Sequence, residues 1–306
     1  MKKEIITSVD PKSPVSEVFR ALRTNLQYLN KNDGVQTILI TSTMQGEGKS
    51  FVAANLAVTF AQAGKDVLII DTDMRRPRQN KIFDTDLYPG LSNFLSGVNI
   101  YRSSHEVKLK ECIYKTKIDN LSLLPAGNIP PNPSELLQSE KLPELIKELK
   151  GMFDVLIFDG APCLLVTDAT LVSRLVDATI LVCSQRKTRI EELKEAKTRI
   201  KRVGGNIAGV VLNRVKVSSK KYGEKYYYAS TEKENKSRKH QASKRKKDYF
   251  AYEEDVDDDV EYIEPKEETK KRTTTKSRKS EPTDSSNSDK IREILAEINK
   301  VKEDNK

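Results

Sequence analysis

The stretch TSTMQGEGKSF, which begins at Thr41, carries residue types that bind a chain of phosphates. It follows an apolar run and ends in G-K-S, the close of the phosphate-binding pattern G-x-x-x-x-G-K-[ST], although threonine replaces the first glycine of that pattern. Gly46 and Gly48 let backbone N–H groups turn toward phosphate oxygens, and the helix expected after them adds a favourable dipole. Lys49 can reach the β- and γ-phosphates, and Ser50 can ligate Mg²⁺. The stretch therefore predicts binding of a nucleotide's phosphates together with magnesium.

Aspartates close two further apolar runs of the chain. Asp71 and Asp73 follow VLII, and their two-residue spacing holds both carboxylates on one side while the chain stays extended. Asp159 follows VLIF, the position of an aspartate that holds a metal ion through water. A single charge after an apolar run is usually just a solvated strand end. Together with the phosphate loop, these aspartates give three strand ends with complementary chemistry, which is improbable as a coincidence. We therefore predict that the three strand ends meet in one site.

Short apolar runs alternate with longer helical segments before residue 217. Runs rich in Val, Ile and Leu predict strands buried on both faces at 37–42, 67–71, 121–127, 155–160, 179–184 and 207–213. Helices are predicted at 14–30, 50–63, 134–149 and 189–203, with a glycine stop after each of the last three. This alternation predicts an α/β fold, a doubly wound and mostly parallel sheet. Ligands of such sheets bind beyond the carboxyl ends of the strands, where the loop and the aspartates fall.

The composition changes after residue 218. We assign residues 1–218 to a folded domain and residues 219–306 to a disordered tail, because runs such as SKRKKD and EEDVDDDVE cannot bury enough surface to offset the entropy of ordering them. Residues 289–302 predict a short amphipathic helix, which is either docked on a partner or transient. Seven of the 11 tyrosines follow residue 218, and the run EKYYYAS has few aliphatic residues nearby for core packing.

Charge, cysteine content and hydropathy exclude several classes of protein. The net charge of +9 arises from 54 basic and 45 acidic residues that are intermixed, which disfavours nucleic acid as a partner. Cys112, Cys163 and Cys183 lie far apart without a C-x-x-C pair, as expected of reduced thiols and not of disulfides or a metal centre. The N-terminus lacks the apolar run of a signal peptide, and no segment approaches the ~20 apolar residues that span a bilayer. We therefore predict a soluble chain.

In combination these motifs resemble the bacterial tyrosine kinases (BY-kinases) of capsular and exopolysaccharide biosynthesis. The resemblance is carried by TSTMQGEGKS as the family's Walker A loop, VLIIDTDMRRP as its additional Walker A′ motif, VLIFDG as Walker B, LPAGNIPPNPSELL, GVVLN and the tyrosine cluster. Glu17, Arg20 and Arg23 on the N-terminal helix are similar to the family's E-x-x-R-x-x-R oligomerisation motif. The resemblance covers about residues 10–228. It implies a P-loop NTPase fold with a modified Walker A loop, unrelated to the eukaryotic kinase fold.

The resemblance implies a protein-tyrosine autokinase that uses ATP and Mg²⁺ and acts in trans within a ring of identical subunits. The implied catalytic residues are Lys49, Asp71, Asp73 and Asp159, with Asp71 as candidate base and Asp73 assisting either that base or the metal shell. The implied metal ligands are Ser50, Asp73 and Asp159. Nucleotide contacts are implied for Gly46, Glu47, Gly48, Lys49, Ser50, Phe51, Arg75 and Asn213. The implied phosphoacceptors are Tyr226, Tyr227, Tyr228 and Tyr222.

The resemblance also implies partners and a location. A separate membrane adaptor of the polysaccharide co-polymerase type would activate the kinase through its cytoplasmic end, and a tyrosine phosphatase would oppose it. The kinase would then be cytoplasmic and held peripherally at the inner face of the cell membrane.

Departures from the family pattern leave alternatives open. Walker B continues as D-G-A-P from Asp159, where relatives commonly have Asp-Thr/Ser-Pro-Pro, and Gln45 stands where a loop proline is common. Both changes keep the charged groups but could lower turnover, which leaves a non-catalytic, ATP-gated scaffold of a membrane polysaccharide complex as one alternative. A partition-type ATPase is another. Against it stand Met44, where that class usually has an early lysine, and the tyrosine-containing tail.

Overall fold

The computed structural model describes residues 4–29, 34–97 and 107–215. The predicted tail at 219–306, its helix at 289–302 and the tyrosines of EKYYYAS lie outside the described residues. The division into a domain at 1–218 and a tail is therefore still a prediction. None of the helices in the described ranges is long and apolar enough to cross a bilayer.

Within these ranges, seven strands form one sheet in the order β3-β4-β2-β5-β1-β6-β7. They are β1 (Thr37–Ser42), β2 (Val67–Asp71), β3 (Tyr114–Lys115), β4 (Leu121–Leu124), β5 (Val155–Asp159), β6 (Ala178–Ser184) and β7 (Ile207–Asn213). All neighbouring pairs are parallel except β3 with β4. The predicted mostly parallel sheet is confirmed, and its six predicted strands are present with small shifts of their ends. The two-residue β3 was not predicted because it has no apolar run.

Two helices of the described ranges precede β1, and the others lie between the strands. They are α1 (Ile6–Val9), α2 (Pro14–Gln27), α3 (Lys49–Gln62), α4 (Gln79–Phe83), α5 (Leu91–Ser96), α6 (Leu109–Cys112), α7 (Pro133–Gln138), α8 (Lys141–Lys150), α9 (Asp168–Ser173) and α10 (Ile190–Arg202). The long predicted helices at 14–30, 50–63 and 189–203 correspond to α2, α3 and α10. The short helices α1, α4, α5, α6 and α9 were not predicted, because four to six residues are too few to show a helical period.

The prediction of one helix over 134–149 was wrong. The structure has two helices, α7 and α8, separated at Ser139, whose backbone is extended with φ −65° and ψ 150°. Pro143 explains the break, because in a continuous helix its ring would collide with the carbonyl group of Ser139, four residues earlier. In the first turn of α8 the same proline is tolerated, since no N–H donor is needed there.

The sheet is buried on both faces, which explains its continuous apolar strands. Alternate residues of β1 separate into two cores: Ile38 and Ile40 pack in the core that contains α3, and Leu39 packs in the core that contains α8. Burial of this kind gives roughly 1.5–3 kcal/mol for each large aliphatic side chain. The rigid sheet fixes where its strand ends lie. The phosphate loop follows β1, and β5 and β2 are the next two strands on one side of β1. The aspartates that end β5 and β2 therefore lie near the loop.

A buried asparagine joins the N-terminal segment to the helix that follows the phosphate loop. In α3, the Oδ1 atom of Asn55 accepts hydrogen bonds from the backbone N–H and the hydroxyl of Thr7, both at 3.0 Å. Its Nδ2 atom donates to the carbonyl oxygens of Glu4 and Phe51, both at 2.9 Å. Asn55 and Thr7 are fully buried. The side chain therefore satisfies polar groups that water cannot reach.

We expect Asn55→Ala to lower the free energy of unfolding by about 2–3 kcal/mol, because buried donors of Thr7 lose their acceptor. Urea unfolding followed by circular dichroism measures the change. Asn25→Ala makes the same chemical change on an exposed position of α2 and should alter stability by less than about 0.5 kcal/mol. Equal effects of the two substitutions would show that the Asn55 bonds contribute little.

Candidate nucleotide and metal site

The phosphate loop occupies the turn between β1 and α3. Gly46 and Gly48 have positive φ angles of 78° and 95°, in the left-handed region that favours glycine. Gly48 is the residue from which α3 starts, and a Cβ atom at this position would overlap the side-chain amide of Asn213. That amide donates from Nδ2 to the carbonyl oxygen of Glu47 at 2.9 Å. The predicted residue Asn213 thus reaches the loop from the end of β7.

Glu47 holds the shape of the loop from within. Its carboxylate is fully buried and accepts hydrogen bonds from the hydroxyl of Thr43 at 2.7 and 2.8 Å and from the N–H of Met44 at 2.9 Å. The hydroxyl of Thr188, in the segment between β6 and α10, donates to the same carboxylate. The side chain of Glu47 is therefore engaged within the protein. Thr43, which stands at the first glycine position of the strict motif, is one of its donors.

Phe51, another predicted nucleotide contact, packs within the protein. Its ring meets that of Phe19 edge-on, with ring centroids 5.9 Å apart. The contact joins α3 to α2, so the structure shows a packing role for Phe51. Its predicted contact with a nucleotide stays a prediction.

The ammonium group of Lys49 lies among all three predicted metal ligands. Its Nζ atom is 2.9 Å from Oδ2 of Asp73, 3.4 Å from Oδ1 of Asp159 and 3.1 Å from Oγ of Ser50. Burial disfavours charge on this lysine, but the carboxylates of Asp159, Asp73 and Asp71 outweigh that effect and raise its pKa above the ordinary value. Lys49 therefore stays protonated at neutral pH. A cation is stable at the point where these three oxygens converge.

Asp71 is the direct neighbour of Asp159 across the sheet, since the two residues are register partners on β2 and β5. Burial is the largest effect on Asp71, and the negative charge of Asp159 is the second; together they raise the pKa of Asp71 to about 8. Backbone N–H groups and the charge of Lys49 lower this pKa, but by less. Its Oδ2 accepts from the N–H groups of Arg78 at 2.9 Å and Gln79 at 3.0 Å. These bonds fix the carboxyl group next to Asp159, one of the predicted metal ligands.

Arg75, a predicted nucleotide contact, is bound to a carboxylate in this structure. Its Nε atom lies 2.8 Å from Oδ2 of Asp168, and its Nη2 atom donates to the hydroxyl of Ser134 at 3.0 Å. Ser134 also donates to Asp168 at 2.6 Å, and Asp168 is almost fully buried. Arg75 thus joins the Walker A′ motif at residues 67–77, called the A′ segment below, to α7 and α9. Neither Asp168 nor Ser134 was predicted, because an isolated aspartate and serine carry no motif.

The predicted oligomerisation residues lie on α2. Arg20 pairs with Glu17, one turn away, and donates to the carbonyl oxygen of Pro11 at 2.5 Å. Arg23 donates from Nη1 to the carbonyl oxygen of Thr59 at 2.8 Å, which attaches α2 to α3. All of these contacts lie within the chain. Their role between subunits stays a prediction.

ATP and Mg²⁺ fit the residues that are present. The positive φ angles of Gly46 and Gly48 are the kind of backbone conformation that turns N–H groups toward phosphate oxygens, and α3 starts there. Mg²⁺ is usually held by one or two carboxylates together with phosphates and water. Ser50, Asp73 and Asp159 would hold it, since their oxygens already surround an ammonium group. Lys49 would then be free to contact phosphate oxygens.

The fold and the site define a nucleotide-binding α/β protein of the P-loop class, and comparisons place it more closely. A family model described as an AAA domain matches residues 35–207. The chain is 40% identical over 218 residues to the putative tyrosine-protein kinase CapB of Staphylococcus aureus, covering 71% of this chain and 91% of CapB. It is 37% identical over 230 residues to the tyrosine-protein kinase YwqD of Bacillus subtilis (strain 168), covering 75% and 93%. The crystal structure of the chimerical protein CapA2B2 has a TM-score of 0.65 and 38% identity, covering 71% and 92%.

The chain therefore belongs to the bacterial tyrosine-protein kinases, which confirms the family that the motifs indicated. The relatives CapB and YwqD are named as tyrosine-protein kinases, which supports the interpretation of this chain as a kinase over its interpretation as a partition-type ATPase.

We expect Gly160→Ser, which restores a hydroxyl residue typical of the family's Walker B motif, to destabilise this chain. A Cβ atom at Gly160 would lie 2.8 Å from Cδ1 of Leu39, so the core must shift. Overpacking of this kind costs about 1–3 kcal/mol of unfolding free energy. Gly209→Ser is the matched control, because no atom lies within 4 Å of the Cβ that it adds. A Gly160→Ser variant as stable as the control would show that Leu39 yields without cost.

We expect stability to fall as pH rises from about 4 to about 8 in the metal-free protein, because Asp71 holds its proton longer in the folded chain than in the unfolded chain. The folded state then binds more protons over that window, and deprotonation near pH 8 leaves two adjacent buried charges. Urea unfolding at pH 5.5 and pH 8 measures the loss. Asp71→Asn should reduce it by about 1–3 kcal/mol. Equal pH dependence in both proteins would contradict the raised pKa.

Proposed function

We propose that the chain is an ATP-dependent protein-tyrosine autokinase that phosphorylates Tyr226, Tyr227, Tyr228 and Tyr222 of its own tail, in trans within a homo-oligomer. The observation that carries the proposal is the position of the Lys49 ammonium among Ser50, Asp73 and Asp159, with Asp71 beside them. Phosphoryl transfer depends mainly on positioning and on neutralising the charge of the phosphates. This site offers both.

The residues divide the chemistry between them. The tyrosine hydroxyl attacks the γ-phosphorus of ATP, the bond from that phosphorus to the β,γ-bridging oxygen breaks, and ADP leaves. Ser50 and Asp159, with Asp73 beside them, would hold Mg²⁺, which would supply charge neutralisation when bound. Lys49 and the loop N–H groups bind the phosphate oxygens. Asp71 accepts the phenol proton.

The raised pKa of Asp71 suits it to that task. A phenol has a pKa of about 10, so it is protonated at neutral pH and must lose its proton during transfer. In the metal-free protein the pKa of Asp71 is raised to about 8, closer to that of the phenol than the pKa of an ordinary aspartate is, and its deprotonated form is the one that accepts the proton. The carboxylate is also held in place by three N–H groups, those of Asp73, Arg78 and Gln79. Asp71 therefore combines basicity with a fixed position.

The partners and location follow from the same proposal. We infer a role in capsular or exopolysaccharide synthesis, a membrane adaptor of the polysaccharide co-polymerase type that activates the kinase, and an opposing tyrosine phosphatase. The kinase would act in the cytoplasm, held at the inner face of the cell membrane by its adaptor. Family membership supports these inferences.

The test is incubation of the full chain with Mg-ATP, with and without the cytoplasmic segment of a candidate adaptor, followed by phosphopeptide mapping. We expect phosphate on tyrosines 226–228, and on Tyr222 to a smaller extent. Lys49→Met and Asp71→Asn should each lower the yield by at least about 100-fold, because one removes phosphate binding and the other the base. Replacing tyrosines 226–228 with Phe should remove most of the label.

A mixing experiment tests transfer between subunits. Lys49→Met protein, which keeps its tyrosines, is combined with active protein in which tyrosines 226–228 are Phe. Phosphate on the Lys49→Met tail is the expected result. Label that survives Lys49→Met alone would contradict the assigned site. If all samples bind ATP and the adaptor segment but carry no phosphate, the nucleotide-gated scaffold is the better description.

A further inference from the structure

Gln79 lies at the centre of the site, although no motif marks it. It begins α4, after the A′ segment, and its side chain is fully buried. Its Nε2 atom donates to Oδ2 of Asp159 at 2.8 Å and to the carbonyl oxygen of Ser50 at 3.1 Å. Its backbone N–H donates to Oδ2 of Asp71 at 3.0 Å. One residue thus contacts the Walker B aspartate, the candidate base and the metal-binding serine.

The two oxygens of the Asp159 carboxylate have different partners. Oδ2 accepts from the amide of Gln79, while Oδ1 lies 3.4 Å from the ammonium group of Lys49. Both partners are donors, so the side-chain amide of Gln79 has its nitrogen directed at the carboxylate. When Lys49 turns to a phosphate, the amide keeps Oδ2 occupied. Oδ1 is then the oxygen left for a metal ion.

The other end of the amide has a second property. Oε1 of Gln79 is buried and has no hydrogen-bond partner among the residues that the structure describes. A buried acceptor without a donor is costly, and in most proteins such an atom meets protein or water. Oε1 is bonded to the same carbon as Nε2, the atom that donates to Asp159. Mg²⁺ keeps several water ligands, and these are strong donors.

We propose that Gln79 is a positioning residue of the metal site. Its amide nitrogen orients Asp159 so that one carboxylate oxygen faces the cation, and its unpartnered oxygen accepts a hydrogen bond from a metal-bound water. Groups that orient metal ligands in this way typically change metal affinity by about 10- to 100-fold when they are removed. The inference rests on the proposed Mg-ATP site but does not require phosphoryl transfer.

The test measures nucleotide affinity with and without metal. A fluorescent ADP analogue is titrated into the full chain in excess Mg²⁺ and in EDTA, and the ratio of the two dissociation constants gives the metal's contribution. Complex formation between free metal and nucleotide is the same for every variant, so differences between variants belong to the protein. Gln79→Met keeps the length of the side chain without its polar atoms. Gln79→Asn keeps an amide that is one methylene too short to reach Asp159.

We expect both Gln79 variants to lower the metal-dependent ratio by about 10-fold or more, with affinity in EDTA within about twofold of the unmodified chain. Gln62→Met makes the same change at an exposed position of α3, where the amide donates to the carbonyl oxygen of Thr7, and should leave the ratio unchanged. Thermal unfolding checks that each variant is folded. If one Gln79 variant does not fold, the other decides the question.

Two results would overturn the proposal. Gln79 variants whose metal-dependent ratio matches that of Gln62→Met would show that Asp159 needs no help from the amide. Variants that lose affinity equally in Mg²⁺ and EDTA would show that Gln79 only supports the fold of the loop. If the unmodified chain itself binds nucleotide no better with Mg²⁺, the magnesium site of the proposed function fails, and the role of Gln79 falls with it. That outcome is recognised before any variant is compared.

Discussion

The site depends on the close approach of two buried carboxylates, Asp71 and Asp159, which the register of β2 and β5 makes direct neighbours. Adjacent negative charges inside a protein repel strongly unless a cation or hydrogen-bond donors lie beside them. The chain supplies both: the ammonium group of Lys49 and a set of N–H groups from residues 73, 78 and 79. The arrangement of the A′ segment and the start of α4 follows from this requirement, because both place donors around Asp71.

The phosphate loop has a support of its own that does not involve these charges. Glu47 is buried and gathers donors from Thr43, Met44 and Thr188, so its carboxylate is surrounded by hydrogen bonds and does not compete for a metal. Thr188 belongs to the segment after β6, and Asn213 lies at the end of β7. The loop is therefore held by the two strands on one side of β1, while the carboxylates come from the two strands on the other side.

Much of this could be predicted from the sequence, because apolar runs and strand-end charges are local signals. Strands β1, β2, β4, β5, β6 and β7, the loop and the aspartates could all be predicted in this way. Other features depend on contacts distant in the sequence. Thr188 and Glu47 are separated by 141 positions, and Asp168 and Arg75 by 93. Gln79 also carries no sequence signal, although it contacts Asp71, Asp159 and Ser50. The break between α7 and α8 is different, since Pro143 is a local signal and its clash with the carbonyl group of Ser139 is sufficient to predict the break.

In the proposed function, the ammonium group of Lys49 cannot contact the carboxylates and the phosphates at once, and this would couple the binding of nucleotide to the binding of metal. In the structure its ammonium group is close to Asp73 and Asp159, where it compensates their charge. Turning toward phosphate oxygens would remove that compensation and leave the carboxylates of Asp73 and Asp159 without a cation in a buried region. A divalent cation that reaches the same oxygens restores the balance, and nucleotide without metal does not. The charge distribution of the site therefore favours entry of ATP and Mg²⁺ together.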